Sequence, residues 1–335
     1  MPVVGLKRRQ FLTLVGGAVS TWPLAARAQQ SERVRRIGVL MGGAENDPAA
    51  KAYVHAFQEE LAKLGWPFGR TVEINYRWAE GSVERIRLAS AELVTMAPSV
   101  ILAVGSFAVR AFLQITQALP IVFVGVAEPV SQGLVASLAR PGGNVTGFAN
   151  LDWTFGAKWL EMLKEIAPRV RRVAFIFNPD DAPYEASFVL SAETAAARLA
   201  MEPFGAGIRQ PADLEDVMAS LAREANGGLI VLPDTFTVAH RQLIVALAAR
   251  YRLPAIYAFP FFPADGGLVS YGVDVPGQFR LAAGYIDRIL RGEKPADLPV
   301  QQPAKYELVI NIKTATALGL DVPPRLRKLA DTVIE

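Results

Sequence analysis

Short hydrophobic runs alternate with amphipathic segments along most of the chain. The runs are rich in Val, Ile, Leu and Phe, which is typical of strands buried on both faces of a parallel sheet. These predicted strands lie at 37–41, 100–104, 121–126, 173–177, 229–232, 255–257 and 268–271. A further segment, 72–78, alternates apolar and polar residues, so we predict a half-exposed strand near a sheet edge.

Segments of helical length separate most of these strands. The first begins at Asp47-Pro48, a helix N-cap followed by proline in the first turn, and ends at Gly65. The other predicted helices lie at 83–96, 106–118, 155–166, 184–200, 212–224 and 237–251. Strands and helices in alternation indicate an α/β fold whose parallel sheets are covered on both faces.

The strand pattern restarts midway along the chain. The sequence RRIGVL at 35–40 is echoed by RRVAFI at 171–176, and a turn containing Asn, Asp and Pro follows each of them. This repetition favours two similar lobes, with a break near Gly147–Trp153.

The first 28 residues have the pattern of a cleaved export signal. A basic start at 7–9 precedes an uncharged stretch that ends in Ala26-Arg27-Ala28, and we expect cleavage after Ala28. The sequence RRQFL at 8–12 resembles the twin-arginine motif, although the ordinary secretory route stays open. Because no later segment is apolar enough to span a membrane, we expect a soluble periplasmic protein.

The composition of the chain excludes several classes of protein and several kinds of functional site. Of 335 residues, 51% are hydrophobic and 20% are charged, which excludes a disordered chain. There is no cysteine, so disulfides, thiolate metal sites and cysteine nucleophiles are excluded. Without the four basic residues of the leader, 31 basic residues stand against 32 acidic ones. The charge therefore gives no argument for a nucleic-acid partner.

Candidate binding residues follow from the fold class. In open parallel sheets, ligands bind beyond the carboxyl ends of the strands. The residues that we select at those ends are Gly42, Gly105, Ser106, Glu128, Asn178, Asp234, Tyr257 and Asp274.

Each candidate has a possible role and a plainer alternative. Ser106 begins a helix after a buried strand, where unpaired N–H groups suit a carboxylate, although it can equally be a simple cap. Glu128, Asp234 or Asp274 can pair with an ammonium group or act as loop acids and caps. Tyr257, with the phenylalanines that follow it, can line an apolar pocket or pack in the core.

Enzyme signatures are missing from the sequence. It contains no GxGxxG, GxxxxGK[ST], GxSxG or HExxH, and His55 and His240 are its only histidines. We therefore select no catalytic residue, metal site or cofactor and favour binding without chemistry. An exported hydrolase or transferase on a similar scaffold stays open, as does a sensor lobe for a membrane receptor.

Several motifs resemble those of the ABC transporter substrate-binding protein family that includes tryptophan- and phenylalanine-binding members. They lie at 36–40, 124–138, 140–147 and 306–320, and the stretch RPGGNVTG at 140–147 is the most specific. The resemblance covers about residues 34–335. The sequence departs from the family pattern at Glu128, where an aspartate is usual. The longer side chain changes the pocket geometry that we expect.

The resemblance implies a type I periplasmic-binding fold, in which two doubly wound parallel-sheet lobes joined by a hinge close over a ligand. We expect lobe I at 34–149 and 275–300, and lobe II at 150–274 and 301–335. It also implies a small-molecule ligand, an amino acid or related compound with aromatic ones among the candidates. The implied partners of this monomer are an ABC permease and ATPase, which receive the ligand after hinge closure.

Overall fold

The computed structural model describes residues 34–180, 184–224 and 226–335. The predicted export signal at 1–28 lies outside the described residues. Two separate sheets organise the described chain, and we call the parts built on them the first lobe and the second lobe.

The first lobe is built on a five-stranded sheet in which all neighbouring strands are parallel. Its strand order is β2-β1-β3-β4-β5, so the half-exposed strand predicted near an edge is indeed an edge strand. Its strands are β1 (Arg35–Met41), β2 (Val72–Trp78), β3 (Val100–Val104), β4 (Ile121–Val126) and β5 (Val145–Ala149).

The second lobe contains a seven-stranded sheet with the order β12-β11-β10-β9-β8-β6-β7. All its pairs are parallel except β10 with β11, which are antiparallel. Its strands are β6 (Arg172–Phe177), β7 (Glu202–Gly207), β8 (Gly227–Val231), β9 (Ala255–Tyr257), β10 (Val269–Val273), β11 (Tyr306–Asn311) and β12 (Thr332–Ile334).

Helices pack on the sheets through buried apolar stripes, as the sequence pattern predicts. Those before β6 are α1 (Pro48–Lys63), α2 (Val83–Thr95), α3 (Ser106–Ile115) and α4 (Phe155–Ile166). Those before β10 are α5 (Glu185–Leu199), α6 (Pro211–Ala222), α7 (Thr235–Ala239), α8 (Arg241–Arg250) and α9 (Phe261–Ala264). The last are α10 (Val275–Leu290), a 3-10 turn at Pro295–Asp297, α11 (Ile312–Leu318) and α12 (Pro324–Leu329).

The chain passes between the lobes three times. It leaves the first lobe after β5 and returns at α10, which packs beside α1, where the rings of Tyr53 and Phe279 stack 5.3 Å apart. The chain then remains on the first sheet as far as Gln301, whose backbone carbonyl accepts a hydrogen bond from Ala149 at 2.8 Å. It crosses again before β11. The exact lobe boundaries given from the sequence stay a prediction.

Some elements differ from the sequence prediction. The expected helix at 237–251 is two helices, because the chain turns at His240 between α7 and α8. The strand at Val145–Ala149 was missed, since Gly147 interrupts its apolar pattern. Strand β7 was also missed, because Glu202–Gly207 is a partly exposed edge strand containing proline and two glycines.

An ion pair joins the two lobes directly. The guanidinium of Arg241 on α8 donates to both carboxylate oxygens of Asp47, at 2.7 and 3.1 Å, and to Asp265 at 2.8 Å. The side chains of Arg241 and Asp47 are only 14% and 11% exposed. Burial lowers the pKa of Arg241, but hydrogen bonds to Asp265 and Asp47 raise it above its ordinary value, so the charge is kept.

Glycines of the first lobe allow α7 of the second lobe to approach closely. A Cβ atom on Gly81 would lie 2.5 Å from the Cβ of Ala239, and one on Gly42 would lie 3.4 Å from the Cγ2 of Thr235. Side chains at these two positions would hold the lobes apart. The described conformation is therefore a closed one, stabilised by both the ion pair and close packing.

We predict that Gly272→Ala lowers the free energy of unfolding by about 2–3 kcal/mol, because the added Cβ would lie 1.7 Å from the carbonyl oxygen of Ala258. Urea unfolding followed by circular dichroism measures the change. Gly284→Ala on α10 is the matched control, because its Cβ meets no atom within 4 Å and alanine favours the helix by about 1 kcal/mol. Equal midpoints for the two variants would contradict this packing.

We predict that Arg241→Met opens the molecule, since it removes hydrogen bonds to charged groups worth about 1–3 kcal/mol across the lobes. Small-angle scattering should give a larger radius of gyration than for the unaltered chain. Arg250→Met is the control, because Arg250 lies on the same helix but pairs with Glu215 inside the second lobe. Scattering that is the same for all three proteins would show that the ion pair does not hold the lobes together.

Candidate functional site

A cavity of about 130 Å³ lies between the two lobes. Its wall comes from the carboxyl ends of strands in both sheets, and from α1 and α10. We call it the interlobe cavity. Four of the residues selected from the sequence line it, namely Gly42, Gly105, Ser106 and Asp234. The strand-end rule therefore brings together residues that are far apart in the chain.

The amino end of α3 faces this cavity. Gly105 is the N-cap, with φ of +87°, and its lack of a side chain leaves the first turn without a side-chain cap. The hydroxyl of Ser106 accepts a hydrogen bond from Gln132 Nε2 at 3.0 Å, so its own proton is available to another acceptor. Unpaired N–H groups and a hydroxyl donor form a suitable place for a carboxylate.

Two carboxylates also line the cavity, one from each lobe. Asp47 caps α1 by accepting from the backbone N–H of Ala49 at 2.9 Å, and it carries the ion pair with Arg241. Asp234 is buried and accepts from the backbone N–H groups of Thr237 at 2.6 Å and Asn178 at 2.8 Å. Both acids are fixed in place by these bonds and put negative charge into the wall.

Aromatic rings form much of the remaining wall. Tyr53 and Phe279 come from α1 and α10, which pack on one face of the first sheet, and Phe259 and Phe261 come from the second lobe. The rings of Phe259 and Phe261 stack 5.3 Å apart. Burial, followed by the nearby charge of Asp47, raises the pKa of Tyr53, so its hydroxyl stays neutral. Such a wall suits a flat apolar group.

Two amide side chains complete the lining. Asn150 follows β5 directly and is 3% exposed, whereas Gln278 lies on α10 and is 5% exposed. Gln278 Nε2 donates to the carbonyl of Ala149 at 2.6 Å. Two buried amides need partners in such a wall, because burying a polar group is unfavourable unless it is hydrogen-bonded.

The other four selected residues lie outside the lining. The Glu128 carboxylate accepts from the backbone N–H of Trp153 at 2.9 Å and so holds the first crossing segment. Asn178 reaches the cavity only through its N–H bond to Asp234. Asp274 caps α10 by accepting from Gly277 at 2.8 Å.

Tyr257 is placed away from the interlobe cavity. Its ring stacks on Phe262 at 4.5 Å, and it lines a separate cavity of about 370 Å³ between α8 and α11. The segment after β9 does reach the interlobe cavity, but through Phe259 and Phe261.

Sequence reasoning missed several lining residues. Asp47 was recognised only as a helix cap, and Tyr53 was not selected. Asn150 was missed because the strand before it was missed. Gln278 lies on a helix that the sequence analysis did not predict, and its polar side chain among Val275, Phe279 and the following alanines was the available signal.

The described ranges contain no group of three or more His, Asp or Glu residues able to hold a metal ion. Among the same residues, no helix is both long and apolar enough to cross a membrane. What the cavity offers is a closed space with hydrogen-bonding groups, charges and rings at fixed positions.

Comparison with known proteins agrees with this geometry. A tyrosine-binding protein from Clostridioides difficile is 25% identical over 292 residues, which cover 87% of this chain and 82% of that protein. The structure of an ABC domain from Streptococcus pneumoniae in complex with L-Trp has a TM-score of 0.81 at 24% identity, covering 90% of this chain and all of that one. A conserved domain protein from Vibrio cholerae has a TM-score of 0.82 at 25% identity, with the same coverage.

These structures confirm the two-lobed type I periplasmic-binding fold expected from the sequence. The sequence profile described as ABC transporter substrate binding protein matches residues 44–334, which is nearly all of the described chain. The resemblance drawn from the short motifs is thereby confirmed, and the chain belongs to the ABC transporter substrate-binding protein family.

Proposed function

We propose that this protein is the solute-binding subunit of an ABC importer and that it binds an aromatic amino acid in the interlobe cavity. The observation that carries the proposal is the composition of the wall. Aromatic rings from both lobes enclose the space, while donors and carboxylates lie at the strand ends. A ligand with a flat apolar side chain and a charged head group matches this arrangement.

The relatives support the same ligand class. One is a tyrosine-binding protein, and another was solved with L-Trp. The present chain shares their fold and has its own aromatic wall at Tyr53, Phe259, Phe261 and Phe279.

The head group of the ligand fits the corner formed by the ends of β1 and β3. There the ligand carboxylate accepts from the first turn of α3 and from the Ser106 hydroxyl. Asp47 and Asp234 supply negative charge for the ammonium group. Because Asp234 lies in the second lobe and Ser106 in the first, one amino acid contacts both lobes and favours the closed arrangement.

Release requires the lobes to separate, and the three crossing segments are the hinge around which they move. The ion pair of Asp47 with Arg241 joins the two lobes and must break when they separate. A permease with its ATPase would recognise the closed form and receive the ligand. We propose that the leader predicted at 1–28 directs the chain to the periplasm and that the subunit acts there as a monomer.

We predict that L-Trp, L-Tyr or L-Phe raises the melting temperature of the purified chain, whereas L-Ala does not fill the aromatic wall and leaves it unchanged. Binding to the native state at 100 times the dissociation constant adds about 2.7 kcal/mol of stability. Differential scanning fluorimetry measures the shift, and isothermal titration calorimetry gives the affinity. If sugars or polyols raise the melting temperature and no aromatic amino acid does, the proposed ligand class is wrong.

We predict that Ser106→Ala weakens binding of the bound amino acid about tenfold, because the carboxylate loses one hydrogen bond from a fixed donor. Calorimetric titration gives the change in dissociation constant. Ser131→Ala is the control, since the Ser131 hydroxyl donates to the carbonyl of Glu128 and does not line the cavity. If Ser106→Ala binds the amino acid with unaltered affinity, the ligand carboxylate does not bind at this corner.

A further inference from the structure

Four buried side-chain atoms have no hydrogen-bond partner in the described parts of the chain, and two of them belong to residues lining the interlobe cavity. These two are Oδ1 of Asn150 and Oε1 of Gln278. Both are amide oxygens, which accept hydrogen bonds and cannot donate them. We call this pair of atoms the acceptor corner.

The two amides lie at the same place in the fold. Gln278 Nε2 donates to the carbonyl of Ala149, the residue immediately before Asn150. That hydrogen bond also fixes which end of the Gln278 amide remains as the acceptor. The backbone N–H of Asn150 donates to Val126 at 2.8 Å, so the segment is anchored to the end of β4. The Gln278 side chain and the Asn150 backbone are thus anchored beside the ends of β4 and β5.

Unpaired acceptors in such a place need an explanation. Buried polar atoms in native proteins almost always have a partner, and leaving one without costs about 1–3 kcal/mol. In the closed conformation both residues are at least nine-tenths buried, so bulk water does not reach them freely. A donor carried into the cavity by a ligand would give one of these oxygens a partner.

The strand order indicates which part of the ligand carries that donor. The head-group corner lies at the end of β3 and Asn150 at the end of β5, with β4 between them. Neighbouring strands are about 4.8 Å apart, so the two corners are separated by about 10 Å. The ammonium and carboxylate of an amino acid sit on one carbon and cannot span that distance. The far end of an aromatic side chain can.

We propose that the acceptor corner binds an O–H or N–H group at the far end of the ligand's aromatic ring. This inference rests on the proposed function and specifies which aromatic amino acids the site prefers. A phenol hydroxyl or an indole N–H can donate its one proton to one of the two orphaned oxygens, whereas a phenyl ring buries both without a partner. The site then selects tyrosine and tryptophan over phenylalanine. A site built to hydrogen-bond a substrate group strongly rejects the analogue that lacks it.

The first test uses the unaltered chain and three ligands. Calorimetric titration should give dissociation constants for L-Tyr or L-Trp that are about 10- to 100-fold lower than for L-Phe. Equal affinities for all three would overturn the inference while leaving the proposed function in place. If none of the three binds, the proposed ligand class fails and this inference fails with it.

The second test removes the acceptors. Gln278→Met keeps the length of the side chain and should reduce the preference for L-Tyr over L-Phe by about tenfold. Ser270→Ala is the matched control, because it removes another orphaned buried oxygen, one that does not line the cavity. It should leave the preference unchanged. If Gln278→Met does not melt cooperatively, Asn150→Ala tests the same corner.

A third comparison separates the ring donor from the ammonium group. The ligand 3-(4-hydroxyphenyl)propanoate keeps the phenol and carboxylate of tyrosine but lacks the amine. We expect the affinity lost with the amine to be the same in the unaltered chain and in Gln278→Met. The inference is wrong if Gln278→Met binds L-Tyr and the amine-free analogue equally well but still prefers L-Tyr to L-Phe. In that case the acceptor corner binds the ammonium group.

Discussion

The contact between Asp47 and Arg241 determines the rest of the functional architecture, because it brings together two lobes that each carry half of the cavity. The pair is largely shielded from water and shares its guanidinium with Asp265, so its hydrogen bonds are stronger than those of an exposed pair. Close packing adds to it where Gly81 faces Ala239. Together these contacts enclose the cavity, and enclosure strengthens every polar interaction inside it.

Enclosure also explains why the wall combines rings with a few rigid polar groups. The aromatic residues supply apolar area whose burial is favourable, while several of the polar groups are fixed by hydrogen bonds to other parts of the protein. Ser106 is held by Gln132, Asp234 by two backbone N–H groups, and Gln278 by the carbonyl of Ala149. Such groups need little rearrangement when a ligand arrives, and those left without partners define the chemistry that the ligand must bring.

Much of the fold could be predicted from the sequence, because strands buried on both faces must be continuously apolar and the helices beside them must be amphipathic. The elements that we did not predict from the sequence lack these patterns. Val145–Ala149 is interrupted by a glycine, Glu202–Gly207 is a partly exposed edge strand, and β11 pairs antiparallel. The helix at Val275–Leu290 belongs to the first lobe although β10 before it belongs to the second. Local pattern contains no information on which sheet a segment joins.

The sequence by itself determined the fold class, the family and the strand ends at which binding residues must be sought. Gly42, Gly105, Ser106 and Asp234, which we selected on that basis, line the interlobe cavity, since strand ends converge in any parallel sheet. Only the tertiary structure decided that Tyr257 points to a different cavity and that Asn150 and Gln278 meet beside β5. The reason is physical: the direction of a side chain and the partner of a polar atom depend on residues brought together by the fold, such as Gln278 and Ala149, which are 129 positions apart, and no local spacing specifies them.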